Sequence, residues 1–117
     1  MAKKLRCTFE MEIDVEFLDP EAAEAYFVNG DWKNHFHEVA DLDAVARALS
    51  LGFHHEMDRW DVEAKRWGRF VEGFGQFVTV EDAPNTFRTD DKTAEFIGSY
   101  ILVRYESELD HAGTFEV

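Results

Sequence analysis

Residues 4–17 read KLRCTFEMEIDVEF and alternate between apolar and polar side chains without interruption. The apolar series contains Leu5, Cys7, Phe9, Met11, Ile13, Val15 and Phe17, and the polar series contains Lys4, Arg6, Thr8, Glu10, Glu12, Asp14 and Glu16. A side-chain period of two is typical of a β-strand with one face in a core and the other in water. The stretch therefore predicts one long strand that buries Cys7 as a small hydrophobic residue. Its polar face ends in four carboxylates, which a strand would hold about 6.6 to 6.8 Å apart.

The composition predicts one folded, cytoplasmic domain that spans residues 1–117. Hydrophobic residues make up 45% of the chain, with eleven Phe and three Trp, which is typical of a protein with a packed core. No apolar run approaches the ~20 residues that span a bilayer, and the acids that start at Glu10 exclude the apolar segment of an export signal. The single cysteine cannot form an internal disulfide, as expected in a reducing compartment.

Two helices are predicted between this strand and the middle of the chain. Asp19-Pro20-Glu21 is a helix start, because Asp caps free backbone N–H groups and Pro suits the first helical position. Asn29-Gly30 can end that helix. A second, amphipathic helix is predicted from about Asp41 to Trp60, with apolar residues at three- and four-residue steps. Residues 31–40 fit a short helix and an extended segment about equally well.

The second half of the chain predicts strands. Residues 66–82 are rich in aromatic and β-branched side chains, and turn signals follow at 82–85 and 89–92. A strong strand is predicted for residues 97–109 and a short one for 114–117. The predicted fold is α+β, with a mainly antiparallel sheet of about four strands packed against two or three helices, in the order strand, helices, strands.

The histidine-rich end of the second predicted helix is the only candidate for a metal site. His54 and Asp58 are four residues apart, a spacing at which a helix can present two ligands to one metal. The segment HHEMD matches no zinc signature, and an ordinary polar helix face accounts for it. We therefore expect no metal, no cofactor and no catalysis, and a metal-dependent enzyme that uses these histidines is the weaker alternative.

Basic and aromatic residues interleave in Arg59-Trp60 and across residues 65–70. This pattern is also found in proteins that stack single-stranded bases beside a cationic groove. The net charge of −13 disfavours such binding, because attraction to phosphate dominates it. We expect these bases to pair with neighbouring acids such as Asp58, and their rings to join the core.

The acidic strand face is the strongest functional signal. Residues 10–25 contain seven acids and no base. The predicted contact residues are Glu10, Glu12, Asp14 and Glu16, with Glu21, Glu24, Glu106 and Glu108 as a second group. If the strand at 97–109 lies beside the first one with matching faces, the acids at 106, 108 and 110 extend the stripe. Such a row of carboxylates could occupy a groove that normally holds the phosphates of a nucleic acid, so we expect a basic, nucleic-acid-binding protein as the partner.

The chain resembles in type the small, acidic, single-domain inhibitors of phages and mobile elements, which include anti-CRISPR proteins and DNA-mimicking anti-restriction proteins. The resemblance rests on the 10–16 stripe, the acidic turns at 81–82 and 90–91, and the acids at 106, 108 and 110. It implies an inhibitor of an effector nuclease or a CRISPR-type complex, acting in the host cytoplasm if a phage encodes it. Immunity proteins that neutralise nuclease toxins share the same character and are the alternative. Trp32, Trp67 or Phe74 could anchor the complex if exposed.

Overall fold

The computed structural model describes residues 1–36, 39–106 and 110–117 of the chain. The elements are β1 (Leu5–Glu10), β2 (Ile13–Phe17), α1 (Pro20–Phe27), α2 (Trp32–His35), α3 (Leu42–His55), β3 (Arg59–Asp61), β4 (Arg66–Val71), β5 (Gly75–Thr79), β6 (Thr86–Thr89), α4 (Asp91–Ile97), β7 (Ile101–Tyr105) and β8 (Asp110–Glu116). In these ranges, no helix is long and apolar enough to cross a membrane.

The main sheet has six antiparallel strands in the order β2-β7-β6-β5-β4-β3. Strands β3 to β7 follow one another as a meander, and the early strand β2 pairs with the late strand β7. This confirms an α+β fold with a mainly antiparallel sheet. The predicted number of about four strands is wrong, and so is the simple order, because helix α4 interrupts the second run of strands.

The core lies between one face of this sheet and the helices α1 and α3. It consists of buried side chains from both layers: Ala23, Phe27, Trp32, Val39, Val45, Leu49, Phe53, Val71, Phe74, Phe77, Phe87, Ile97, Ile101 and Val103. Side-chain oxygens of Asp19, Asp41 and Asp90 cap the first turns of α1, α3 and α4. The Asp19 cap is the one that the sequence predicts.

The stretch 4–17 is not one strand, which corrects the first prediction. It is interrupted at Met11-Glu12, and β1 pairs with β8 in a separate two-stranded sheet, here called the arm. All residues of β1 are exposed, and Cys7 is exposed rather than buried. The alternation predicts two different faces of the strand, but it does not show whether other residues pack on the apolar face. In the described part of the chain, all of β1 is exposed and no helix packs on the arm.

Three further boundaries differ from the prediction. Helix α3 ends at His55, because Glu56 is extended and β3 begins at Arg59. Helix α4 replaces most of the predicted turn at 89–92 and the start of the predicted strand at 97. Asp90 caps its first turn, and Gly98 ends it with a φ of 95°. Strand β7 is therefore shorter than predicted, and β8 is longer.

Candidate partner-binding surface

Strand β2 and the residue before it, Glu12, place three carboxylates in water on one face of the main sheet. Ile13, Val15 and Phe17 pack against the core, so Glu12, Asp14 and Glu16 point away from it and are exposed. β2 is also an edge strand, and helices α1 and α3 pack on the opposite face of the sheet. Burial of the apolar series thus fixes the direction of the acidic one.

Strand β7 adds a cation and another acid to this surface. Arg104 lies directly opposite Asp14 in the antiparallel register. Its Nη2 donates to Glu106 Oε1 at 2.8 Å, and both residues line a shallow depression with Glu12 and Asp14. We call these residues and Glu16 the acidic surface. Glu106 lies beside Glu12 and Asp14, as expected for an extension of the stripe, but Asp110, expected there too, lies in the arm. Arg104 occupies the polar series of its strand and is not among the predicted contact residues.

The other predicted contact residues lie elsewhere. Glu10 belongs to the arm, opposite Asp110 and beyond the interruption at residues 11–12. Glu21 and Glu24 are exposed on α1, in the helix layer that covers the other face of the sheet. Glu108 lies outside the described residues. The acidic surface therefore unites Glu12, Asp14, Glu16 and Glu106, but not the whole predicted set.

The two weak metal candidates do not share a helix face. His54 is near the end of α3, and its Nδ1 is 2.9 Å from the hydroxyl oxygen of Tyr105. Asp58 lies beyond the helix and accepts a hydrogen bond from Arg69 Nε at 2.7 Å. Among residues 1–36, 39–106 and 110–117, no group of three or more His, Cys, Asp or Glu side chains could hold a metal ion.

Arg69 is the most enclosed charged side chain of the protein as described, with 9% of its surface exposed. Its guanidinium carbon lies 4.8 Å from the ring centroid of Phe53 and 4.5 Å from that of Tyr105. Nη1 donates to the Phe53 carbonyl at 2.9 Å, near the C-terminus of α3, while Asp58 balances the charge. The predicted pairing of Asp58 with a nearby base is confirmed here. Arg69 thereby joins α3 to the sheet, which is a structural role.

A cleft of about 350 Å³ opens beside this cluster. It lies against the loop between β5 and β6, and Asp58, Arg69, Asn85 and Tyr105 contribute polar groups to its wall. Asp58 already compensates the charge of Arg69. The cleft therefore offers little net charge for the recognition of an anion.

A second exposed surface lies on strands β3 and β4, at the opposite edge of the main sheet from β2. Trp60 and Trp67 are paired across these strands, with ring centroids 5.7 Å apart, and each is 52% exposed. The prediction that these rings join the core is wrong, because the sheet extends here beyond the helices. Trp32 and Phe74 are buried, so Trp67 is the one suggested anchor that is exposed.

Comparison of the chain with protein-family models, with curated proteins and with solved structures gives no match in any of the three. No functional residue therefore transfers to this chain from another protein. The acidic surface and the Trp60–Trp67 pair follow from the residues and the geometry of this chain alone.

Proposed function

We propose that the protein is a non-catalytic inhibitor that binds a basic, nucleic-acid-binding surface of another protein through its acidic surface. The observation that carries this proposal is the outward face of β2 and of the residue before it, where Asp14, Glu16 and Glu12 are exposed at every second position. Folding alone does not require like charges at this spacing. A basic partner would offset this mutual repulsion, because its cations would attract each carboxylate.

The spacing of these carboxylates suits a groove that binds nucleic acid. Alternate residues on a strand are about 6.6 to 6.8 Å apart, which is about twice the 3.4 Å by which successive phosphates of one DNA strand advance along the helix axis. Binding of these carboxylates in a cationic groove would make the affinity fall as salt rises, as it does for DNA. The net charge of −13 would also steer the encounter with a basic protein.

The partner class that fits this surface is an effector nuclease or a CRISPR-type complex, with nucleic-acid mimicry as the mode of inhibition. Arg104 gives the acidic surface an internal cation, so a complementary groove would combine several Arg or Lys residues with one acceptor. Such a mixed pattern favours one partner over other basic proteins, because a purely cationic surface would face Arg104 without a counter-charge.

Affinity capture from a lysate of the source organism tests the proposal. Wild-type protein should retain a nucleic-acid-binding protein that salt elutes, and mass spectrometry identifies it. Glu12→Lys with Glu16→Lys should abolish this capture; both positions avoid Asp14, where a lysine would face Arg104 and confound the result. The matched control is Glu24→Lys with Glu95→Lys, which makes the same charge change on exposed helical positions. Equal loss of capture in both variants would show that only net charge matters and would contradict the proposed surface.

Competition and salt dependence then test mimicry with the purified partner. Duplex DNA should displace the protein, and the affinity should fall steeply as salt rises. An affinity that hardly changes with salt would rule out the acidic surface as the contact. If the captured partner is a nuclease toxin, the same surface serves an immunity protein instead.

A further inference from the structure

Along one edge of β1, the backbone N–H and C=O groups have no strand partner among the described residues. β1 pairs with β8 on one side, and no described residue pairs with its other edge. Leu5 and Phe9 lie on the same face of the arm, and each is 53% exposed. Two-stranded sheets are marginal on their own, and an unpaired strand edge is a template for another strand.

The charge along β1 changes sign. Lys3, Lys4 and Arg6 precede Cys7, whereas Glu10 and Glu12 follow it. Charged side chains on an edge strand protect it from self-association where like charges meet. Here a parallel copy would place like charges together, but an antiparallel copy would place the basic half of each strand against the acidic half of the other. The strand is thus complementary to itself in one direction only.

We propose that two copies of this protein pair through β1, antiparallel, into a four-stranded sheet in which β8 of each copy is an outer strand. A two-fold axis passes between the two Cys7 residues. Lys4 then faces Glu10 of the partner subunit, and Leu5 faces Phe9 of the partner subunit. The dimer contains each of these pairs twice, because a two-fold interface is isologous.

The backbone supports a register centred on Cys7. The carbonyl of Lys4 accepts a hydrogen bond from the Val117 amide at 3.0 Å, so the backbone groups of Lys4 point towards β8. In an antiparallel ladder this direction alternates along the strand. The pairing with β8 shifts between Thr8 and Phe9, but the extra residue, Ala112, lies on β8, so the alternation continues along β1 and the backbone groups of Leu5, Cys7 and Phe9 point to the free edge. These three can pair with one another within the bounds of β1. A register centred on Thr8 would need Met11, which lies beyond the end of the strand.

The corresponding edge of β8 does not suit self-pairing. Asp110 lies at its start and Glu116 at its end, and it contains no Lys or Arg. Antiparallel pairing of two β8 strands would bring these acids together. The β1 edge is therefore the one that attracts a second copy.

The interface is small, since it consists of one strand edge from each copy. We expect a dimer that forms reversibly with rising concentration, at the low end of interface sizes, below about 1,200 Å². At about 0.15 M salt the Debye length is about 8 Å, so the net charge of each body is screened while facing residues still interact. Asp14 and Glu16 lie outside the paired segment and remain free in the dimer. The inference thus goes beyond the proposed function and is tested on the free protein.

Sedimentation equilibrium over a range of concentrations at this salt tests the dimer. Wild-type protein should show a monomer–dimer equilibrium. In the Lys4→Glu variant, residue 4 of each copy faces Glu10 of the partner subunit. The dimer then contains two repulsive pairs, so its dissociation constant should rise about tenfold. The double variant Lys4→Glu with Glu10→Lys should restore it. Lys92→Glu, an equal charge change on an exposed lysine far from the arm, should have no effect. A monomer at all concentrations with native circular dichroism, or no rescue by the double variant, would overturn the proposal.

Thiol oxidation tests the register. Directly opposite residues have a Cα–Cα distance of about 4.5 to 5.5 Å, which suits a disulfide. Diamide, which oxidises two thiols to a disulfide and is itself reduced, should therefore convert the wild-type dimer to a covalent one. Cys7→Ser should abolish the product. Thr8→Cys in the Cys7→Ser background should give little covalent dimer, and efficient cross-linking at residue 8 instead of residue 7 would overturn the Cys7-centred pairing.

Discussion

Asp14 and Arg104 lie directly opposite each other on β2 and β7, so the acidic surface includes a cation beside its carboxylates. Arg104 also donates to Glu106, and this contact neutralises part of the surface. The protein would attract a basic partner more strongly without this arginine. Its presence suggests that the acidic surface is arranged for a particular partner rather than for the greatest possible charge.

Replacement of Arg104 by Gln should speed the association with a basic partner. The change makes the acidic surface more negative by one charge, so the association rate should rise a few-fold at low salt and converge with wild type at high salt. Because the ion pair is exposed, the free energy of unfolding should change by less than about 1 kcal/mol. Stopped-flow or biosensor kinetics with the captured partner measure the rate. A slower association at every salt concentration would contradict this prediction and would mean that the contact between Arg104 and the partner already forms during the encounter.

Arg69→Met should destabilise the fold by about 2 to 3 kcal/mol. The substitution retains most of the side-chain volume but leaves the Phe53 carbonyl without its donor and Asp58 without its counter-charge. Urea unfolding followed by circular dichroism measures the loss. Arg66→Met is the comparison. Arg66 pairs with the exposed Glu81 at 3.6 Å and donates to the Thr79 carbonyl at 3.1 Å, but its side chain is 27% exposed, so the loss should be smaller, about 1 kcal/mol. Equal losses for the two variants would contradict the joining role of Arg69.

Gly68→Ala should cost at least about 3 kcal/mol. A Cβ at this position would overlap the backbone oxygen of Phe77 on the neighbouring strand, which cannot move without disturbing the β4–β5 pairing. Gly113→Ala is the matched control in the arm, where the nearest atom would be on the exposed ring of Phe115, at 3.0 Å. That ring can rotate away, so the loss should be small. Thermal unfolding of both variants separates a backbone clash from a general intolerance of alanine.

The hydroxyl group of Tyr100 should titrate above its ordinary range. It donates to Asp91 Oδ1 at 2.8 Å, and this hydrogen bond, followed by the charge of the carboxylate, raises the pKa of Tyr100 above 10.0. Because the folded-state pKa is raised, the stabilisation is complete below the ordinary pKa and is lost as the pH rises through the raised one. Asp91→Ala should shift this titration to lower pH, as measured by tyrosinate absorbance.

Tyr26 provides the internal control for that titration. Burial, rather than a carboxylate, raises the pKa of Tyr26. Its titration should therefore stay in place when Asp91 is replaced. If both tyrosines shift together, the change reflects alkaline unfolding and not the loss of one hydrogen bond.

The sequence predicts well those features that depend on neighbours along the chain. The cap at Asp19, the amphipathic start of α3 and the two faces of β2 all follow from local chemistry, and the structure has each of them. Prediction fails where a tertiary partner decides. The alternation in β1 is as regular as that in β2, but only β2 has helices packed on its apolar side.

The end of α3 shows the same limit of prediction from local sequence. Met57 and Trp60 continue the apolar spacing of α3, yet the chain leaves the helix at Glu56 because Arg59–Asp61 pairs with β4. Pairing between strands competes with the helical pattern there, and no local signal reveals the outcome. For the acidic surface, Glu12, Asp14 and Glu16 were predictable from period two, whereas the position of Arg104 beside Asp14 depends on the register of β7.

The pairing of β2 with β7 also has a consequence during synthesis of the chain. The Asp19 amide donates to the Ser99 hydroxyl across 80 residues of sequence, at the point where β2 leaves the sheet. While the ribosome is still making residues 20–100, Ile13, Val15 and Phe17 have no strand beside them. The nascent chain must keep this apolar segment from aggregating until β7 emerges, and its alternating carboxylates are well placed to do so.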